Sequence, residues 1–79
     1  MTKYIGKIPD NHITDDNIKW VIIEPHIEKN EIVGYFMYLH ESPNEAAIWD
    51  NWYRSLEIAF DAGEAYGLKR QDWKVIFSN

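Results

Sequence analysis

The 79-residue chain has no cysteine, which removes disulfide scaffolds, thiolate metal sites and cysteine nucleophiles together. Histidine is scarce. His12, His26 and His40 are the only imidazoles, and no two of them stand two, three or four residues apart. A dedicated metal site needs three or four convergent ligands, so neither a metal nor another cofactor is expected. Basic residues are outnumbered, 8 Lys and Arg against 13 Asp and Glu, for a net charge of −5. Nucleic-acid binding runs on Lys and Arg displacing counterions, so it is disfavoured. No apolar run approaches the ~20 residues of a membrane span. The first residues lack the ~7–15-residue apolar stretch of a signal peptide, so a cytoplasmic protein with no membrane partner is expected. Gly6, Gly34, Gly63 and Gly67 are scattered rather than gathered into a phosphate loop. No Gly-x-Ser-x-Gly elbow frames Ser42, Ser55 or Ser78, which fall in loop, cap and tail contexts.

What the chain does have is apolar and aromatic surface: 46% hydrophobic residues, with four Trp, five Tyr and three Phe. It is therefore not a disordered tail. Its length allows one domain, residues 1–79, which buries roughly 60–65% of its unfolded surface and is marginally stable alone. A deep catalytic cleft is hard to build at that size. Each aromatic ring buries on the order of 150–250 Å², so four Trp suggest that something besides a single core consumes apolar area.

Residues 1–17 are the least determined: Tyr4, Ile5 and Ile8 suit a short strand, 9–11 a turn and 14–17 a polar loop. Residues 18–27 are rich in β-branched side chains and read as a strand. Pro25 inside it cannot donate to a ladder, which predicts an edge strand or a bulge. Residues 28–31 form a turn in which Asn30 suits a positive φ. Residues 32–40 are a second strand, 41–45 a loop and 46–53 a third strand interrupted at Asp50-Asn51. Ser55 is placed to cap a helix, with Glu57 in the first turn. Leu56, Ala59, Phe60, Gly63 and Tyr66 form one apolar stripe, and Glu57, Asp61 and Glu64 an acidic face. Gly67 ends the helix, and 73–77 read as a closing strand. The expectation is an α+β domain in β-β-β-α-β order, an antiparallel sheet with one helix packed on one face.

A two-residue hairpin loop at Lys29-Asn30 makes facing residue numbers sum to 59. One face then carries Val21, Ile23, Ile27, Ile32, Phe36 and Tyr38, with Pro25 opposite Gly34. The other carries Trp20, Ile22, Glu24, His26, Val33, Tyr35, Met37 and Leu39. Both faces are apolar, whereas a sheet with one wet face should alternate cleanly. A helix of about 12 residues, ~18 Å, covers one of them. We assign it to the aliphatic face, where Gly34 and Gly63 allow close approach. The face of Trp20, Ile22, Glu24, His26, Tyr35, Met37 and Leu39 then needs another cover, either the N-terminal segment or a second copy of the chain. Left open it is an interface or a ligand site, since a large exposed apolar patch marks one. An odd-length hairpin loop would exchange residues between faces and leave the two-sided problem in place.

Three groups offer chemistry. Glu24, His26 and Tyr35 on one face would make a carboxylate, an imidazole and a phenol available for acid–base work; the plainer reading is a polar network at an interface. Asp50 between Trp49 and Trp52 suggests an aromatic pocket for a cation or sugar, against a plain plug at the end of the core. Lys69, Arg70 and Lys74 are the sole basic cluster, suited to a phosphate or, more simply, to the helix C-terminus.

The spacing Gly34-Tyr35-Phe36 with Tyr38-Leu39, then Trp49-Asp50-x-Trp52-Tyr53-x-Ser55-Leu56-Glu57, then Tyr66-Gly67 and Asp72-Trp73, resembles short bacterial proteins of mobile gene cassettes or toxin-immunity loci. The resemblance covers residues 18–74 and implies no shared active site. It points to a small bacterial, cytoplasmic, non-enzymatic interaction protein. That it is homodimeric is expected separately, from the apolar sheet face left uncovered. Such a protein could bind a second protein with a basic surface. The competing reading is a small-molecule binder with an aromatic pocket at the sheet face or dimer seam.

Overall fold

A computed structural model describes residues 1–15 and 17–77. Asp16, in the expected polar loop, and Ser78, in the tail, lie outside the described residues. The elements are β1 (Thr2–Lys7), β2 (Trp20–Glu28), β3 (Glu31–His40), β4 (Trp49–Tyr53), α1 (Leu56–Gly63) and β5 (Lys74–Phe77). The strands form one antiparallel sheet in the order β4-β3-β2-β1-β5, with α1 against one side. This is the expected α+β class, with the N-terminal segment entering as a full strand. Residues 46–48 stay outside β4, so the third expected strand begins later, at Trp49.

The β2–β3 hairpin sets the rest. Its two-residue loop is Lys29-Asn30, both at positive φ, 51° and 66°, as a loop matched to the sheet twist requires. The pairs nearest the loop, Glu28↔Glu31 and Ile27↔Ile32, follow the expected register. The next pair is His26↔Gly34, so Val33 is one residue too many on β3 and the ladder bulges there. Beyond the bulge every β3 residue has changed face. Met37 and Leu39 therefore lie with Val21 and Ile23 under the helix, and Phe36 and Tyr38 lie with Trp20 and Ile22 on the opposite side. Pro25 sits in the central strand rather than an edge, and the bulge, the other outcome its missing donor predicts, falls beside it at His26/Ile27. The registered pairing of β1 with β2 runs from Lys7↔Trp20 to Tyr4↔Ile23, so Pro25 lies beyond it and its missing N–H costs no bond there.

The core is Ile8, Val21, Ile23, Met37, Leu39, Ala59, Leu68 and Trp73, with Tyr4, Tyr35, Tyr53, Leu56, Phe60 and Tyr66 packed around it. The Ser55 hydroxyl accepts from the Ile58 N–H at 3.2 Å and caps α1. The α-helix is shorter than expected, and a 3-10 turn at Glu64–Tyr66 continues it to Gly67, whose φ of +80° ends it. Gly63 lets the helix seat on Trp73: a Cβ there would stand 2.6 Å from the Trp73 ring. Trp73 is buried with no hydrogen-bond partner for its indole N–H, so it serves as volume. Gly34 makes room for the Trp52 indole instead of the helix, a Cβ falling 2.2 Å from it.

The expected basic cluster is dispersed. Arg70 bonds Glu57, stands 3.8 Å from Asp61 and lies over the Phe60 ring, bracing the side of α1 rather than its C-terminus. That ion pair holds the Glu57 carboxyl below its usual range. Lys74 belongs to β5.

Candidate interaction face

Among the described residues no helix lies over the second side of the sheet. Its side chains follow from the registers as cross-strand rows. One row runs Trp52, Phe36, Glu24, Lys3, Ile76, and the next runs Asp50, Tyr38, Ile22, Ile5, Lys74. A third, toward one end of the strands, holds His40, Trp20 and Lys7. Most of these side chains are half-buried against one another, while Trp52 is 48% exposed and Ile76 37%.

The rings form a ladder. His26 and Phe36 stand 4.9 Å apart between centroids, Phe36 stacks on Tyr38 at 5.6 Å, and Tyr38 meets His40 at 6.5 Å. The Trp52 indole N–H donates to His26 Nδ1 at 3.1 Å. An indole can only donate, so Nδ1 is the accepting nitrogen and the neutral ring carries its proton on Nε2. That nitrogen faces a Glu28 oxygen at 3.5 Å. His40 is buried, and its Nδ1 lies 2.9 Å from the Glu45 carbonyl, tying the 41–48 loop to the end of β3. Here Nδ1 must donate, because a carbonyl only accepts.

Charge enters in two ways. Lys3 and Glu24 pair at 3.0 Å within the face, so neither leaves an unbalanced charge among the rings. Burial pushes the Tyr38 phenol above its ordinary range, and the carboxylates of Glu24 and Asp50 add to the rise. Lys7 lies 5.9 Å from the Trp20 ring. A groove of about 410 Å³ is lined by Lys3, Ile22, Glu24, Tyr38 and Ile76 of the sheet and by Pro43 and Ala47 of the 41–48 loop.

The expected site is thus half in place. Trp20, Ile22, Glu24 and His26 are on the open face; Tyr35, Met37 and Leu39 are on the helix side, with Met37 fully buried and Leu39 3% exposed. The bulge at Val33 is the reason. Glu24 pairs with Phe36 rather than Tyr35, so the Glu24, His26 and Tyr35 groups are not assembled on one face. Trp49 and Trp52 flank Asp50 in sequence but sit on opposite sides of β4, and both are exposed, 62% and 48%, forming neither a pocket around Asp50 nor a core plug. Phe36, Tyr38, Ile5 and Ile76 complete the face. The sequence signal for Phe36 and Tyr38 was their alternation in β3, read in the wrong phase.

Among the described residues no group of three His, Asp or Glu is placed to hold a metal ion, and no helix is long and apolar enough to cross a membrane. No protein-family model matches the chain, nor does any curated protein or solved structure.

Proposed function

We propose that this chain is a non-enzymatic interaction module that works through the open face of its sheet, and that it homodimerises there. The observation that carries the reading is a sheet apolar on both sides with one helix to cover it. Trp20, Ile22, Phe36, Tyr38, Trp52, Ile5 and Ile76 are left outside the core. Trp and Tyr are the residues interfaces favour. The area is adequate. The body measures 39 × 24 × 19 Å and exposes 5405 Å²; its broad side is roughly a fifth of that surface. Covering half of that side on each copy reaches the roughly 1,000 Å² that a specific interface requires.

An immunity-like inhibitor of a basic protein is one form of such a module. The exposed acids Glu41, Glu45 and Asp50 beside the face support it, because complementary charge speeds encounter. A bacterial, cytoplasmic setting belongs to the same proposal. The test is Ile22→Asp, at the centre of the face: association is lost while the circular dichroism spectrum is kept. A variant that associates as the parent does sinks the reading.

The 410 Å³ groove favours one competing reading, a small-molecule binder. A monomeric chain whose tryptophan fluorescence changes saturably with one member of a metabolite panel supports that reading instead.

A further inference from the structure

The open face is polarised across its width, and this decides how two copies meet. Resting on the homodimer reading above, we infer that the copies are related by a two-fold axis running along β2. Asp50 and the 41–48 loop of each copy then seat against the Lys7–Lys74 corner of the other.

The central row runs Asp50, Tyr38, Ile22, Ile5, Lys74. It has an acid at the β4 edge, a base at the β5 edge and apolar side chains between. In aligned packing, where the strands of the two sheets run within about 30° of one another, two sheets can meet face to face about a two-fold lying in the interface in two ways. An axis across the strands keeps each edge over itself, so acid meets acid and base meets base. An axis along β2 exchanges the edges. Asp50 then faces the partner's Lys74, Tyr38 faces the partner's Ile5, and Ile22 meets its own counterpart on the axis. In the neighbouring row Trp52 faces the partner's Ile76 and Phe36 the partner's Lys3. Glu24 comes over the partner's Glu24, and each is already neutralised by its own Lys3 at 3.0 Å.

The relief of the face agrees. At the end of the strands marked by His40 and Trp20, the 41–48 loop stands up from the β3–β4 corner, with Pro43 and Ala47 forming a wall. At the same end, the β1–β5 corner is recessed, a hollow of about 280 Å³ lined by Ile5, Lys7, Pro9, Trp20, Asp72 and Lys74. A half-turn about β2 keeps the ends and exchanges the corners, which brings the loop over the hollow. The loop carries exposed Glu41 and Glu45, and the hollow exposed Lys7 and Lys74, with Asp72 its single acid. Raised and acidic on one corner, recessed and mainly basic on the other, the surface is complementary to itself.

Charge reversal tests this. Asp50→Lys and Lys74→Glu change exposed side chains at opposite edges, and sedimentation equilibrium reads the dimer dissociation constant. Each single reversal creates two like-charge contacts per dimer and raises that constant on the order of tenfold or more. The double variant, or an equimolar mixture of the two singles, returns to within about threefold of the parent. Single reversals without effect, or a loss that neither the double variant nor the mixture recovers, overturn the two-fold while leaving the homodimer standing. A parent chain that never dimerises overturns both, and a dimer indifferent to Ile22→Asp overturns the choice of face.

Discussion

The sheet seats one tryptophan on each side against a glycine, and the two seats differ in what lies above them. On the covered side Trp73 is held between Gly63 of α1 and the β1 backbone at Gly6, with Phe60 tilted against it at 5.6 Å. It is buried to 9%. On the open side Trp52 lies on Gly34 with its N–H fixed by His26, yet nearly half of it meets solvent. The same device, an indole laid over a missing Cβ, builds a core on one side and a surface platform on the other. What separates them is the lid.

The contrast is open to breaking, most severely at neighbouring positions of β3. Met37→Ala opens a hole in the core and should cost about 2–5 kcal/mol in urea unfolding. Phe36→Ala, one residue away, should cost about 1 kcal/mol or less in the monomer while weakening association. Equal losses at the two positions would mean that the faces are not distinct. The glycines give a matched pair of smaller effects. Gly63→Ala drives a Cβ into a ring that cannot leave and should destabilise by about 1–3 kcal/mol, helix propensity notwithstanding. Gly34→Ala displaces a ring with open solvent beside it, so the fold should lose under about 1 kcal/mol. The Trp52 indole N–H resonance should shift as its bond to His26 breaks.

The smallest effect concerns how the lid is braced. Arg70 lowers the Glu57 pKa by hydrogen bonding and by charge. A depressed carboxylate contributes stability that is present above its unfolded pKa and is lost as pH falls through the folded value. The pH-dependent part should therefore fade in the acid range and be missing in Glu57→Gln. The pair is on the surface, so salt should erase most of the difference.

Much of the fold was legible because its signals are local. The Ser55 cap, the apolar stripe of Leu56, Ala59, Phe60 and Gly63, the Gly67 stop and the Lys29-Asn30 loop each need only a few neighbouring residues. The faces of β3 were not legible, because their phase turns on one extra residue at Val33. Pro25 on the facing strand points to an edge or a bulge, but Ile32 and Val33 are both β-branched, and neither says that β3 carries the extra residue. The same slip explains the candidate site. Trp20, Ile22, Glu24 and His26 lie on β2, whose phase was read correctly, while Tyr35, Met37 and Leu39 lie past the bulge. The two-sided apolar character survived the error, since β3 carries large apolar groups in both phases: Tyr35, Met37 and Leu39 in one, Phe36 and Tyr38 in the other.

Sedimentation equilibrium of the unaltered chain over a rising concentration series tests the central claim most directly. An open face completed by a second copy predicts a weight-average mass climbing from 9.4 kDa toward twice that value. A mass that stays at 9.4 kDa into the high micromolar range would contradict it.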